Sequence, residues 1–191
     1  MPPDFYTRPI LDLAPALIGC TLLVDGVGGV IVETEAYHSG DPASHSFAGP
    51  TPRNRAMWGP GGRAYIYRIY GIHWCLNIVG GAAPGAAVLL RALEPTHGLA
   101  TMQARRGTAD PRNLCAGPGK LAQALGLTGA QDGMALDQPP FALLARGTAP
   151  AIATGTRIGI TKAPDEPWRF GLAGSRFVSR RFPPPSDVHA T

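Results

Sequence analysis

The sequence predicts an α+β fold, a single mixed domain in which a mostly antiparallel β-sheet is surrounded by short helices. Three observations support this prediction. The chain has 191 residues, of which 45% are hydrophobic, which is enough for one domain with a substantial core. Its extended apolar runs follow one another through short turns, as in hairpins, and do not alternate regularly with helices. Its 25 glycines and 20 prolines, without a repeating period, indicate many loops.

The individual elements are predicted from the spacing of apolar residues and from turn residues. The predicted strands are residues 21–24, 29–36, 64–70, 74–79, 86–93, 141–144 and 157–160. The predicted helices are residues 11–18, 95–106 and 121–125. A glycine- and proline-rich loop at 38–63 is so long that we expect it to be either functional or disordered. We expect one domain at residues 1–182 and a proline-rich tail at 183–191 that does not pack against it.

Positive charge is concentrated in one part of the chain. The formal net charge is +4, and residues 42–93 contain no Asp or Glu. The arginines of this stretch are Arg53, Arg55, Arg63, Arg68 and Arg91. The planar guanidinium suits bidentate contacts with phosphate, so a nucleic acid is a compatible partner. An arginine- and alanine-rich composition that is general to the genome is the alternative explanation.

The cysteines and the N-terminus give no sign of export. Cys20, Cys75 and Cys115 are widely spaced and form no CxxC pair, so neither a disulfide framework nor a cysteine zinc site is indicated. The first residues lack the form of a signal peptide, and no apolar run approaches the roughly 20 residues of a membrane helix. We therefore expect a cytoplasmic protein that has no membrane partner.

Glu35 is the first candidate for chemistry. The period of two in a strand places Glu33, Glu35 and Tyr37 on one face. A carboxylate among apolar neighbours is costly to bury unless it is paired or used, although a solvated strand face is the simpler interpretation. Glu33, Glu35, His38, Asp41 and His45 match no strong metal-binding pattern, so we expect no metal.

Tyrosines and two polar interruptions form a second group of candidates. Tyr65 and Tyr67 fit an ordinary sheet core, whereas Tyr70 stands at a predicted turn, where an aromatic side chain suits insertion into a base stack. Asn77 and Arg91 interrupt otherwise apolar strands, so each is expected either in a buried polar network or facing a ligand.

Ten segments between about residue 9 and residue 170 resemble a known family in their order and sequence. They are IVETEAY at 31–37, DPASH at 41–45, TPRNRAM at 51–57, YIYRIYG at 65–71, LNI at 76–78, VLLRALEP at 88–95, NLC at 113–115, GPGKL at 117–121, RIGI at 157–160 and WRF at 168–170. The family that they resemble is the alkyladenine DNA glycosylase family, also called 3-methyladenine or alkylpurine DNA glycosylases. The combination is highly specific, although each segment alone would be weak.

The resemblance implies a curved, open-barrel-like antiparallel sheet and hydrolysis of the N-glycosidic bond of damaged purines in double-stranded DNA. It implies these roles by position: Glu35 as the general base that activates water, Tyr70 as the side chain that fills the gap in the duplex, and Arg91 as a residue that orders the pocket. Tyr37, His45 and Tyr67 would hold the flipped base, and Asn77 would exclude guanine. No cofactor is implied.

The remaining expectations concern DNA contacts and rival functions. Further DNA contacts are expected from Ile72, His73, Arg53, Arg55 and Lys120. We expect a monomer that associates with the bacterial nucleoid through DNA. Mammalian members of the family carry a bulkier aromatic residue at the turn tip, where this chain has Ile72-His73. A non-catalytic damage-binding protein and a small-molecule hydrolase of nucleosides or formyl groups are the rival functions.

Overall fold

The computed structural model describes residues 1–183, within which eight strands form one sheet and four α-helices lie around it. The strands are β1 Thr21–Val24, β2 Val27–Tyr37, β3 Ala64–Ile69, β4 His73–Val79, β5 Ala87–His97, β6 Phe141–Leu144, β7 Ile152–Gly155 and β8 Arg169–Leu172. The α-helices are α1 Ile10–Ala16, α2 Leu99–Arg106, α3 Pro111–Leu114 and α4 Pro118–Leu125. Short 3-10 helices lie at Pro3–Tyr6, Arg55–Trp58 and Gly129–Gln131.

Every strand pairing in the described chain is antiparallel, in the order β3-β4-β5-β2-β1-β6, with β8 pairing both β2 and β7. The sheet curls into half of a barrel, so the predicted fold class is confirmed. Most of the predicted tail, residues 184–191, lies outside the described residues. None of the helices in residues 1–183 is long and apolar enough to cross a membrane.

Strand β2 is the centre of this sheet. Its whole length pairs with β5 on one side, while its first half pairs with β1 and its second half with β8 on the other. Both glutamates of this strand, Glu33 and Glu35, are fully buried with 0% exposure. The interpretation of these carboxylates as part of a solvated strand face is therefore wrong.

Three register shifts interrupt the pairing of β2 with β5, and two of them adjoin Glu33. Ile31 pairs with Leu93 and Glu33 with Ala92, which leaves one extra residue in β2. Thr34 then pairs with Leu90, which leaves Arg91 as the extra residue of β5. Bulges bend a strand and change the direction of a side chain, and they are common beside active sites. Here the bulge lies where Arg91 contacts both Glu33 and Glu35.

The two faces of β3, β4 and β5 carry different residues because side chains alternate along each strand. On one face, apolar residues such as Ile66, Leu76, Ile78 and Leu90 join the main core with α1 and α4. On the other face, Tyr65 packs with Met57, Val79 and Ala87 in a smaller cluster. The alternation therefore separates a packed core from a second face that is open to a cavity.

Two predicted elements are wrong. Residues 157–160 are irregular and not a strand, because the Ile158 N–H donates to a Glu35 carboxylate oxygen at 2.8 Å and Gly159 has a φ of 79°. The nearby strands are instead β7 and β8, and β8 contains part of the WRF segment. Pro95 does not open a helix, since it continues β5 opposite Gly29, and α2 begins only after Gly98, whose φ is 68°.

The core assignment predicts a difference between two leucines in strands. Leu90 is fully buried on the core face of β5. Leu90→Ala should lower the free energy of unfolding by about 2–5 kcal/mol, because it removes buried methyl groups and leaves a cavity. Urea denaturation measures this change. Leu144→Ala in β6 is the matched control, since Leu144 is 51% exposed, and it should cost less than about 1 kcal/mol. Equal losses would contradict the assignment.

Candidate active site

A cavity of about 390 Å³ opens on the face of the sheet opposite the core. Its floor comes from β3, β4 and β5, and its walls come from the 38–63 loop, the 157–160 segment and Pro118 at the start of α4. This volume lies within the range of about 300–1,000 Å³ that is usual for small-molecule sites. Six predicted site residues line it together: Tyr37, His45, Tyr67, Tyr70, Asn77 and Arg91.

Aromatic rings form one side of the cavity. The rings of His45 and Tyr67 meet edge to face at 4.4 Å, and Tyr67 stacks on Tyr65 at 5.4 Å. His45 Nδ1 lies 2.8 Å from the Tyr65 hydroxyl. Burial raises the pKa of both tyrosine hydroxyls well above the usual range, so both remain protonated. The wall is therefore neutral and presents aromatic surface to a ligand.

The long loop that carries His45 is fastened by hydrogen bonds. Asn54 is buried, and its Nδ2 donates to the carbonyls of His45 and Gly49 at 2.8 and 3.0 Å. Ser46 Oγ donates to the Gly85 carbonyl at 2.6 Å, which ties the loop to the β4–β5 connection. The sequence predicted that this loop is either functional or disordered. In the structure it is ordered and lies beside the cavity.

The Glu35 carboxylate lies directly behind the cavity wall. It does not line the cavity itself, but all three of its polar partners do. The Tyr37 hydroxyl donates to Oε2 at 2.9 Å, the Ile158 N–H donates to Oε1 at 2.8 Å, and Arg91 Nη1 lies 3.3 Å from Oε1. Burial, followed by the charge of Glu35, raises the pKa of Tyr37 far above its ordinary value, so Tyr37 stays a donor.

Glu33 has polar partners of its own, apart from Arg91, which it shares with Glu35. Its carboxylate accepts from Arg91 Nε at 3.3 Å and from Arg169 Nη1 at 2.8 Å. The backbone N–H and the hydroxyl of Ser179 also donate to it, the hydroxyl at 2.9 Å. Two buried carboxylates are thus balanced by two buried arginines, and Arg91 is shared between them. Glu33 lies in this supporting network and not in the cavity wall.

Asn77 and Arg91 are polar interruptions that face the cavity. Asn77 is 5% exposed, and its Nδ2 donates to the Tyr65 carbonyl on the neighbouring strand at 3.0 Å. This bond fixes the orientation of the amide at the cavity floor. Arg91 is 7% exposed and is held between the two glutamates. Each of the two residues therefore has a polar partner within the protein and also lines the cavity.

Tyr70 stands at the rim of the cavity, at the tip of the β3–β4 hairpin. Its side chain is 83% exposed, and its φ of 51° is rare for a residue other than glycine. Gly71 follows with a φ of 68°, and the Ile72 N–H donates to the Ile69 carbonyl at 3.0 Å. These values describe a type I′ turn, which is the tight turn that matches the twist of a hairpin. The turn therefore holds a large aromatic ring in solvent.

The other predicted contact residues lie outside the cavity. Ile72, His73, Arg53, Arg55 and Lys120 are all exposed and do not line it. Arg53 is close to the rim, since its guanidinium lies 6.0 Å from the Tyr67 ring centre and donates to the Arg68 carbonyl at 3.0 Å. Within residues 1–183, no group of three or more His, Cys, Asp or Glu side chains is arranged to hold a metal ion.

Sequence reasoning missed the buried pair of Arg157 and Asp41 behind Tyr37. Residues 157–160 were expected in a strand, and Asp41 was considered only as a possible metal ligand. Their pairing spans 116 positions, so no local pattern reveals it. The only sequence signal was that both belong to segments of the family resemblance.

Comparisons with known proteins show the family to which this chain is related. The methylpurine-DNA glycosylase (MPG) family matches residues 4–176. A protein of Rhodopseudomonas palustris is 62% identical over 94% of this chain and 87% of its own length. One of Agrobacterium fabrum is 59% identical over 96% and 94%, and one of Rhizobium meliloti is 57% identical over 94% and 96%. All three are named "Putative 3-methyladenine DNA glycosylase".

The family match covers most of the chain and includes every residue of the cavity wall. The relatives are far above the identity at which a shared family is in doubt, and the predicted resemblance is confirmed. The chain therefore belongs to the methylpurine-DNA glycosylase family, whose members are hydrolases that act on the N-glycosyl bond of methylated purines in DNA.

Proposed function

We propose that this enzyme flips damaged purines, alkylated or deaminated, out of duplex DNA and hydrolyses the N-glycosidic bond with a water activated by Glu35, which starts base excision repair. One observation carries the proposal. A fully buried carboxylate is held by three groups that all line a cavity with aromatic walls. Such a carboxylate is costly to maintain, and its position beside the cavity suits a role in chemistry.

The chemistry follows from the position of Glu35. As the C1′–N bond breaks, the base leaves with the electron pair and positive charge develops on the sugar. An ionised Glu35 stabilises that charge and accepts the proton of the water whose oxygen bonds to C1′. The water is expected on the side of the cavity that Arg91 and Ile158 line, because both contact the Glu35 carboxylate.

The walls of the cavity suit a damaged purine. Tyr37, His45 and Tyr67 offer neutral aromatic surface, on which a flipped base can stack. Alkylation at purine N3 or N7 leaves the base positively charged, and the faces of aromatic rings attract cations. Because Asn77 is fixed by its bond to the Tyr65 carbonyl, it cannot turn away from the exocyclic amino group of a normal guanine. The substrate classes are alkylated purines, such as 3-methyladenine and 7-methylguanine, and deaminated purines, such as hypoxanthine.

The rim of the cavity suits duplex DNA. Tyr70 is an exposed aromatic side chain that lines the cavity, and we assign it to the gap that the flipped base leaves in the stack. Ile72 and His73 on the same turn would contact the neighbouring base pairs. The exposed Arg53, Arg55 and Lys120 would contact phosphates, and these contacts position the duplex without reading its sequence.

The role of Glu35 predicts loss of catalysis without loss of binding. Glu35→Gln keeps the shape of the side chain but removes its charge, so single-turnover base release from duplexes carrying hypoxanthine or 3-methyladenine should fall about 100-fold or more. Duplex affinity should persist, as measured by fluorescence anisotropy. Glu33→Gln, two residues away on the same strand, is the matched variant. It should lower the free energy of unfolding by about 1–3 kcal/mol and release base far faster than Glu35→Gln.

Other outcomes of this experiment would point to other functions. Binding without base release by the native protein would support a damage-binding protein that is not an enzyme. Release from free nucleosides but not from the duplex would support a small-molecule hydrolase.

The role of Tyr70 predicts a defect that depends on base stacking. Tyr70→Ala should weaken excision from a fully paired duplex about tenfold or more, because the ring no longer fills the gap left by the flipped base. Excision of the same lesion from a single strand should change much less, since the lesion is already unstacked. Phe47→Ala, at an aromatic residue that is 52% exposed but does not line the cavity, is the control. An equal loss on both substrates would count against a wedge.

The environment of His45 predicts a pH dependence of stability. Burial, together with the positive charge of Arg53, lowers the pKa of His45 below its ordinary value of 6.5. The unfolded chain therefore binds this proton more readily than the folded protein, and stability falls as the pH drops below about 6.5. His45→Gln should flatten this dependence in urea denaturation between about pH 5 and pH 7. An unaltered slope in His45→Gln would refute the assignment.

A further inference from the structure

We propose that Arg157 is a positioning residue for base excision, a buried clamp that holds both Tyr37 and the Ile158 N–H in place for the Glu35 carboxylate. The inference rests on the proposed roles of Glu35 and Tyr37. It assigns a task to a side chain that does not line the cavity and that the proposed chemistry leaves unused.

Arg157 ties together three segments of the chain. Its side chain and that of Asp41 are both fully buried, and its two terminal nitrogens bind the two Asp41 oxygens in a fork, Nη2 to Oδ1 at 3.1 Å. Nη1 also donates to the Ala36 carbonyl at 3.1 Å, between Glu35 and Tyr37 in β2. Nη2 donates to the Ala163 carbonyl at 3.4 Å. One guanidinium therefore fixes the end of β2, the following loop and the 157–163 segment relative to one another.

The same guanidinium lies between two aromatic rings. Its central carbon is 4.7 Å from the Tyr37 ring centre and 4.8 Å from that of Trp168. A planar guanidinium stacks well on such faces, and an ammonium group does not reproduce this contact. The Tyr37 ring is thereby backed by Arg157 and also lines the cavity. Its hydroxyl is left in position to donate to Glu35 at 2.9 Å.

The neighbour of Arg157 in the chain is the second donor to Glu35. The Ile158 N–H reaches Oε1 at 2.8 Å, and the peptide that carries it begins at Arg157. Anchoring the Arg157 side chain therefore restricts the orientation of that peptide. The two hydrogen bonds that Glu35 accepts from uncharged donors, Tyr37 and Ile158, consequently depend on one side chain, whereas the contact with Arg91 does not involve it.

A contribution to stability alone is a weak explanation for the presence of the buried Arg157–Asp41 ion pair. Replacing a buried ion pair by apolar residues of similar volume is often neutral or stabilising, because both charges must be removed from water. Arg146 provides a comparison within the same chain. It is partly buried and donates to the carbonyls of Pro15 and Ile18 at 3.2 and 2.7 Å, away from the cavity. Its role is to brace the end of α1.

The test compares Arg157→Lys with Arg146→Lys in single-turnover excision from a lesion duplex. Lysine keeps the charge but loses the fork and the stacking plane. Arg157→Lys should lower the rate at saturating enzyme about tenfold or more, as expected when reacting groups lose their alignment, while duplex affinity changes less than about threefold. Arg146→Lys should change neither quantity. An equal effect of the two variants, after correction for the folded fraction, would overturn the proposal.

A double-mutant cycle separates positioning from general damage. Tyr37→Phe removes the hydroxyl that donates to Glu35. If Arg157 acts through this contact, the combined loss in Arg157→Lys with Tyr37→Phe is smaller than the product of the single losses. A full product would show that the two residues act independently and would refute the clamp.

Two further variants keep the proposal testable if Arg157→Lys does not fold. Asp41→Asn weakens the fork with little change of shape, and Trp168→Leu removes the outer stacking ring at a partly exposed position. Both should lower the excision rate more than the duplex affinity. Native rates in both would overturn the clamp. Native protein that releases no base, or Glu35→Gln that releases it at the native rate, would instead overturn the proposed function itself.

Discussion

The burial of two carboxylates in the central strand is the constraint on which the rest of this structure depends. Glu33 and Glu35 are inaccessible to water, and an uncompensated charge in such a place would destabilise the fold by several kcal/mol. Compensation comes from Arg91 and Arg169, which lie on the two strands that flank β2. The bulge that makes Arg91 the extra residue of β5 is what allows one guanidinium to contact both glutamates. The balance of buried charges therefore depends on this irregularity in the sheet.

The two glutamates are both fully buried, but most of the residues that contact them differ, and this distinguishes the two side chains. Glu33 is held by Arg169 and by the Ser179 backbone and hydroxyl, none of which lines the cavity, and its contact with the cavity wall is through Arg91. Glu35 is held by groups that themselves line the cavity. The strand therefore supplies a structural and a candidate catalytic carboxylate at positions two residues apart.

Patterns local in sequence predicted most of the sheet, because alternation and turn residues are local properties. Strands β1, β3, β4 and β6 were located within a few residues, and the Asp25-Gly26 turn follows from ordinary hairpin preferences. Residues 157–160 were wrongly assigned to a strand because of their apolar character. In the structure they are irregular, and the Ile158 N–H donates to the carboxylate of Glu35, which is distant in sequence. From the residues alone, Glu35 could only be marked as unusual.

Local sequence patterns alone could not predict that the site residues lie together. Tyr37, His45, Tyr67, Asn77 and Arg91 come from four strands and a loop, and spacing does not say that these meet in one cavity. The family resemblance selected them, and the folded structure brings them together. Neither local patterns nor the family resemblance identified Arg157 as a site residue, since its partners Asp41 and Tyr37 lie more than 100 positions earlier in the chain. Tertiary contacts of this range are outside the reach of periodicity.

The contact of Ser179 with Glu33 has a consequence for how the enzyme is made. These residues are 146 positions apart, so the charge balance behind the cavity is completed only when nearly the whole described chain has been synthesised and folded. Contacts of such long range require the closure of large loops and form late in folding. An emerging polypeptide that already contains Glu35, Tyr37 and His45 would still lack the groups that enclose their supporting network. The supporting network behind the cavity is thereby linked to synthesis of the chain as far as Ser179.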